Sequence, residues 1–360
     1  MNLDKNALLY YQAARALKLP VRVVPSIAGI EIKLGNQRYF IRQGDTPFNS
    51  ASSKGVAENK YCMNRLLKTA GLPVPEADAI HISVFKNEKL DSLLANLTFP
   101  LVVKPTLSTV CGQDVLCNIT DINQLQLYMS KCYQKYDYLT VEEFHSNLNS
   151  YRVLVFYNKV IGVVQRFSAR VIGDGVHSIR ELIAISNIER EQLKATVSLG
   201  PIKVDAEYNI RLKELNMTLD TIPEDNKTIV LCYTCNSTRG GTMASLGKKI
   251  AKQNADLCCR AARVLGLNLV GFDVCCEDIL IPFEKSRGVI IEANYNPDLS
   301  IHENPMHGIQ NCVSRKILQR LILRHPLAYI AGLYQNRQWG FYLRCLVLSF
   351  ACLSFKWLVM

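Results

Sequence analysis

The sequence predicts an α+β protein of more than one lobe, and three observations predict it. The chain has 360 residues, 49% of them apolar, enough to bury a large core and long enough for two or three lobes. Strand-like runs at residues 152–157 and 160–165 are separated only by Asn158-Lys159, a turn short enough to imply an antiparallel pair. Helical spacing also recurs, with Met63, Leu66, Leu67 and Ala70 on one face of one segment and Ile309, Val313, Ile317 and Leu321 on one face of another.

Taken in order, residues 6–17 read as a helix, followed by strands at 21–24, 29–34 and 38–42, with Gly35-Asn36 as a hairpin turn. Residues 1–50 therefore form a small α/β N-terminal unit, and a Ser-rich connector at 49–54 closes it. The main domain is expected over 51–325, with lobes at about 72–140 and 141–325. Its first helix carries Met63 to Ala70, ends on Gly71 as a C-terminal cap and is followed by Pro73. Strands are expected at 99–104 and 139–144, then the antiparallel pair. Asp174-Gly175 turns the chain, and Ser178 with Glu181 has capping-box spacing at the start of a helix through residue 185. A helix at 248–265 hands over through Gly266 to strands at 269–274 and 288–293, and the segment marked by Ile309 to Leu321 closes the domain. Residues 326–360 form a basic, apolar tail. There is no internal repeat or low-complexity tract.

The formal net charge is +11, but residues 304–360 contain no Asp or Glu and carry +7, which leaves +4 for the first 303 residues. A basic tail on a nearly balanced body argues against nucleic acid as a partner. The uninterrupted apolar run at 345–355 is too short to span a bilayer, so the tail is expected either as a peripheral contact at an anionic membrane face or as a helix covering the body. Thirteen cysteines, and no leader-like h-region in residues 1–19, point to a reducing compartment, read as cytoplasmic, with the tail at the inner membrane face.

The strongest local signal is Ile291 to Pro297, because alternation along a strand puts Glu292 and Asn294 on one face as two hard oxygen donors. Asp273 ends the strand before it and completes a magnesium site if the two strands pair. A run of polar strand ends beginning a turn is the plain alternative. Lys104, leaving a buried strand just before Pro105, and Lys60, on the helix after the connector, can each reach a phosphate as a fixed charge; either alone reads as a surface lysine. Glu142 and Glu143, before Phe144, offer acceptors and backbone to an adenine edge. Arg152, Arg166 and Arg170 can neutralise phosphate oxygens. Arg239-Gly240-Gly241-Thr242 offers backbone N–H groups beside a cation, as an oxyanion cradle or as a plain Gly-Gly loop. Cys232 and Cys235 have metal-like spacing without a second pair, so they read as core and are assigned no metal.

Read together, Ala57 to Lys60, Ala70 to Pro75, Val102 to Pro105, Val141 to Phe144, Tyr151-Arg152, Val171 to Gly175, Asn236 to Thr242, Gly271 to Asp273 and Glu292 to Pro297 resemble an ATP-grasp ligase. The resemblance covers about three quarters of the chain and runs to the ATP-grasp half of bifunctional glutathione synthetases and to cyanophycin synthetase. It implies two α+β lobes holding ATP between antiparallel sheets. It also implies ATP contacts from Lys60, Lys104, Gly112, Glu142, Glu143 and Phe144, and magnesium or manganese held by Asp273, Glu292 and Asn294; Arg152 and Arg239 are expected as the catalytic cations. The implied activity is ATP-dependent ligation of a carboxylate to an amine through an acyl phosphate, on an amino acid or γ-glutamyl peptide, by a homo-oligomer. Four positions depart from the family pattern: Asp114 replaces the second glycine of the phosphate loop, Cys232 an arginine, Asn149 or Ser150 the ribose acid, and Arg239 the residue beside the paired glycines. A binding module without catalysis is the alternative these departures leave, and a membrane-associated scaffold with a vestigial ATP site is the one the basic tail leaves.

Overall fold

The computed structural model describes residues 3–87, 90–107, 114–193, 199–335, 340–342, 344–349, 351 and 354. It divides into two compact units, Met1–Pro47 with Cys312–Met360, and Phe48–Asn311.

In the first unit the helix Lys5–Ala16 begins where Asp4 caps the N–H groups of Asn6 and Ala7. Three antiparallel strands follow, Val21–Val24, Gly29–Leu34 and Gln37–Arg42, the last two turning at Gly35 with φ 60°. The helix Val313–Arg324 lies against Lys5–Ala16 in this same unit and buries Ile317, Leu318 and Leu321. It was expected to close the main domain. Its apolar face instead meets the helix Lys5–Ala16, in which Leu9, Tyr10 and Ala14 are buried. The helix Pro326–Gln335 follows, and its Tyr329 hydroxyl donates to the Leu17 carbonyl at 2.8 Å.

The second unit contains two larger sheets. One has four antiparallel strands in the order Ala77–His81, Tyr138–Glu143, Leu101–Pro105, Leu116–Ile119. The other has six, in the order Gly288–Asn294, Leu269–Cys276, Asn149–Phe156, Lys159–Phe167, Thr242–Gly247, His307–Gly308, with only the last pair parallel. Period-two alternation sorts the faces. Leu101, Val103, Leu139 and Val141 face the core under the helix Ile122–Cys132, so Val102, Lys104, Thr140 and Glu142 face the other way. In the six-stranded sheet, Val153, Val155, Val270, Phe272, Val274 and Ala293 pack on the helices Lys60–Thr69 and Lys252–Val264. Arg152, Arg166, Asp273, Glu292 and Asn294 are left on the opposite face. A smaller core around Tyr208, Leu231 and Cys232 joins the helices Ile179–Leu193 and Ala206–Glu214 to a two-stranded sheet, Arg170–Ile172 with Thr228–Val230.

The expected connector at 49–54 is the start of a helix, Ala51–Glu58. Its serines read as linker composition, but Ser50 is the N-cap and accepts from Ser53 N–H at 3.1 Å. Ser178 and Glu181 form the expected capping box, with Ser178 N–H donating to Glu181 Oε2 at 2.8 Å and Glu181 N–H to Ser178 Oγ at 3.4 Å.

Candidate active site

The four-stranded sheet supplies a buried cation and its counter-ion. Glu142 pairs across the ladder with Val102, and Lys104 with Thr140, so the two charged residues are diagonal neighbours on one face. Lys104 Nζ donates to Glu142 Oε1 at 2.6 Å, and both are nearly enclosed. Lys60 joins them from the first turn of the helix Lys60–Thr69, where its N–H donates to Thr106 O at 3.1 Å and Asn59 caps the helix. Lys60 and Lys104 are only 7% and 5% exposed, which excludes the surface-lysine reading for both. Burial holds the Lys60 pKa below its ordinary value, with Lys104 acting the same way and Glu292 and Glu142 opposing. Lys60 thus feels one carboxylate from each sheet.

On the six-stranded sheet the two strands expected to pair do so, with Asp273 opposite Glu292 and Gly271 opposite Asn294. A bulge at Ile291 shifts the register between Asp273 and Val274, which keeps Glu292 on the Asp273 face while Ile290 returns to the core. Asp273 also lies opposite Arg152 and accepts from its Nε, and Arg166 Nη1 reaches the other carboxylate oxygen at 3.0 Å. Burial works against the Asp273 charge, but the two guanidinium groups outweigh it and hold the carboxyl below its usual range. Arg166 was one of three candidate phosphate cations and shares Asp273 with Arg152. Counting outward from the turn at Asn158-Lys159 does not identify it: an extra residue, Ile161, shifts the register between Val155 and Leu154, and only that bulge sets Arg166 opposite Ser150, two residues along from Arg152 on the same face.

Other expected site residues have partners of their own. Glu143 points away from Glu142, as alternation requires, and its carboxylate accepts from Thr98 N–H at 2.9 Å. The Phe144 N–H is spent on Pro100 O at 2.8 Å, so that amide is already paired. Arg239, expected beside the phosphates, donates to Glu207 Oε2 at 2.7 Å and pairs with Asp205. Both carboxylates come from the start of the helix Ala206–Glu214 and its cap, a partnership the sequence does not announce. Gly240 and Gly241 are explained by close packing: a Cβ on Gly240 would lie 2.6 Å from Ile202, and one on Gly241 would lie 2.7 Å from the carbonyl oxygens of Asn236 and Phe167. Gly112 lies outside the described residues. Asp114 turns toward the segment just after the helix Ile122–Cys132, its carboxylate accepting from Tyr136 Oη at 2.8 Å and Lys135 Nζ at 3.2 Å. Asn149 donates to Glu277 O at 2.7 Å, and Ser150 Oγ accepts from Arg166 at 2.9 Å. Cys232 is buried in the small core, and among the described residues no group of three His, Cys, Asp or Glu could hold a metal.

The face of Asp273, Glu292 and Asn294 fits a hard divalent cation of the magnesium kind. Magnesium takes one or two carboxylates together with substrate phosphates, so it does not need three acidic side chains. Asn294 Nδ2 donates to Gly271 O at 3.3 Å, which reserves its side-chain oxygen as an acceptor. Each Asp273 oxygen keeps lone-pair capacity beyond its arginine. Lys60 and Lys104 on one side, and Arg152 and Arg166 beside Asp273 on the other sheet, are cations of the kind that suit phosphate oxygens.

The sequence matches no family model. It is 27% identical over 328 residues to cyanophycin synthetase of Crocosphaera subtropica, covering 89% of this chain and 37% of that protein. It is 26% identical over 308 residues to the glutathione biosynthesis bifunctional protein GshAB of Listeria welshimeri, covering 81% of this chain and 37% of that one. The chain therefore spans little more than a third of the length of these curated relatives. In three dimensions it is similar to a bifunctional glutathione synthetase from Pasteurella multocida, with a TM-score of 0.61 at 21% identity over 90% of this chain and 44% of that chain. The chain has the ATP-grasp fold and is a sequence relative of the cyanophycin synthetases and the bifunctional glutathione biosynthesis proteins.

Proposed function

We propose that the chain is an ATP-dependent carboxylate-amine ligase, acting through an acyl phosphate on an amino acid or a γ-glutamyl peptide. The observation that carries this reading is the buried Lys104–Glu142 pair on one sheet, with Lys60 buried at the helix that begins beside Thr106, together with Asp273, Glu292 and Asn294 on one face of the other. A nucleotide held there meets Lys60 and Lys104 at its phosphates and Glu142 at the edge of its base. Asp273, Glu292 and Asn294 would hold magnesium, which when bound neutralises charge on the phosphate oxygens. Arg152 and Arg166 stand beside Asp273, placed to balance the charge that moves from phosphate to carboxylate during transfer. A free carboxylate is a poor electrophile, and these cations are what favour its activation over simple binding. Arg239 acts through the Asp205 and Glu207 contacts as a positioning residue.

The test is magnesium-dependent ADP release over a panel of amino acids and γ-glutamyl peptides, comparing the intact chain with Glu292→Ala. Release that needs one acid and amine pair and is lost in the variant is the expected result. Binding of ATP with no release for any pair would favour a non-catalytic module.

A second reading concerns the C-terminal segment. No described helix is long and apolar enough to cross a membrane. Leu327 is 81% exposed, Ile330, Phe341, Tyr342 and Leu346 are also exposed, and residues 304–360 hold no acidic residue. That combination favours contact with an anionic membrane face. Flotation of the full chain with phosphatidylserine vesicles, abolished by Leu327→Glu with Phe341→Glu, is expected; equal flotation with neutral vesicles would argue against it.

A further inference from the structure

The helix Ala206–Glu214 is fastened to the four-stranded sheet by a polar cluster that the ligase reading leaves unused. Strand Leu116–Ile119 has one extra residue between its pairings with Leu101 and Val103, and Asn118 in that bulge has a φ of 58°. Asn118 Nδ2 donates to Glu214 Oε1 at 2.9 Å and to the Tyr233 hydroxyl at 3.1 Å. The same hydroxyl donates to Glu214 Oε2 at 2.6 Å and accepts from Arg211 Nη1 at 2.9 Å. A phenol has one donor and two acceptor sites, and here all three are filled. Arg211 also lies over the Tyr233 ring, 4.9 Å from its centroid.

Two further contacts link this cluster to the nucleotide side. The Tyr233 ring stands edge-on to Phe144, with centroids 5.1 Å apart, and Phe144 follows the Glu142-Glu143 pair. Tyr233 N–H and Thr234 N–H both donate to Glu207, at 2.8 and 2.9 Å, and Ile210 packs on the core of the four-stranded sheet.

We propose that Tyr233 is a positioning residue for the nucleotide base, latching the segment 206–241 onto the four-stranded sheet through Asn118 and Glu214 and bracing Phe144 beside Glu142. The proposal rests on the reading of this cleft as an ATP site. Tyr233→Phe keeps the ring contact with Phe144 and removes the three hydroxyl contacts; Asn118→Ala removes the link from the sheet side.

In the full chain, both variants are expected to raise the ATP dissociation constant about tenfold, the scale of a lost hydrogen bond to a charged group. The turnover number at saturating ATP should stay unchanged, and amide exchange in residues 206–216 should quicken without nucleotide. Faster exchange with unchanged ATP affinity would overturn the positioning role, and unchanged exchange would overturn the latch itself. If the unaltered chain binds no ATP, the ligase reading and the positioning role fall together, while exchange still decides the latch.

Discussion

Asp273 holds together two arginines that would otherwise stand beside each other unneutralised on one face of a sheet. Asp273→Ala is expected to cost about 3–5 kcal/mol, the scale for breaking a buried pair by removing one partner, read as a lower denaturant midpoint. Glu292 is not buried among arginines in this way, so Glu292→Ala should abolish ADP release while moving that midpoint little. Lys60 gives a pH signature. Its pKa lies below the ordinary 10.5, and a phosphate prefers the protonated amine. ATP affinity should therefore fall as pH rises through that lowered pKa; Lys60→Arg, which stays charged, should abolish the fall. Titrating ATP binding from pH 7 to 10 checks both. Glu292 and Asn294 were readable in the sequence because strand alternation needs only a period of two. Arg239 was not, because its partners Asp205 and Glu207 precede it by about thirty residues and meet it only through the packing of Tyr208 and Leu231.

At the scale of elements, glycines and caps carry the same lesson. The paired glycines at 240–241 looked like an anion cradle, since a flexible loop and a close-packed one need the same residues. Only the neighbours distinguish them, and these are the backbone of Asn236 and Phe167 and the side chain of Ile202. Gly241→Ala should accordingly lower stability by about 1–3 kcal/mol, as overpacking does, because the atoms it meets are carbonyl oxygens of fixed backbone. Thermal unfolding measures this, and a variant as stable as the parent would argue for a loose loop. The capping box at Ser178 was legible because its two partners lie three residues apart. The serines at 50–53 were misread because a cap and a linker share composition, and only the apolar packing of Ala57 in the following turns settles which is present.

At the scale of the whole molecule, alternation sorts the faces of the two large sheets of the second unit and the hairpin of Asn149–Phe156 with Lys159–Phe167 is local, but pairings such as Ala77–His81 with Tyr138–Glu143 and Asn149–Phe156 with Leu269–Cys276 join segments far apart in sequence. The first unit was harder to read, because it joins the two ends of the chain. The spacing of Val313, Ile317 and Leu321 identifies a helix but not the surface it covers. That surface is the helix Lys5–Ala16, about three hundred residues earlier in sequence. Leu321→Ala should cost about 2–5 kcal/mol in the first unit, seen as faster amide exchange across residues 5–16.

This joining of the ends also bears on how the protein is made. Residues 1–47 leave the ribosome before the whole of Phe48–Asn311, and the helix that covers them follows only afterwards. At 5–20 residues per second the delay is on the order of tens of seconds, far longer than a hairpin or a helix needs to form. Through that interval the face of Lys5–Ala16 that meets Val313–Arg324 has no native cover, so the nascent chain offers chaperones an apolar surface that the finished protein hides.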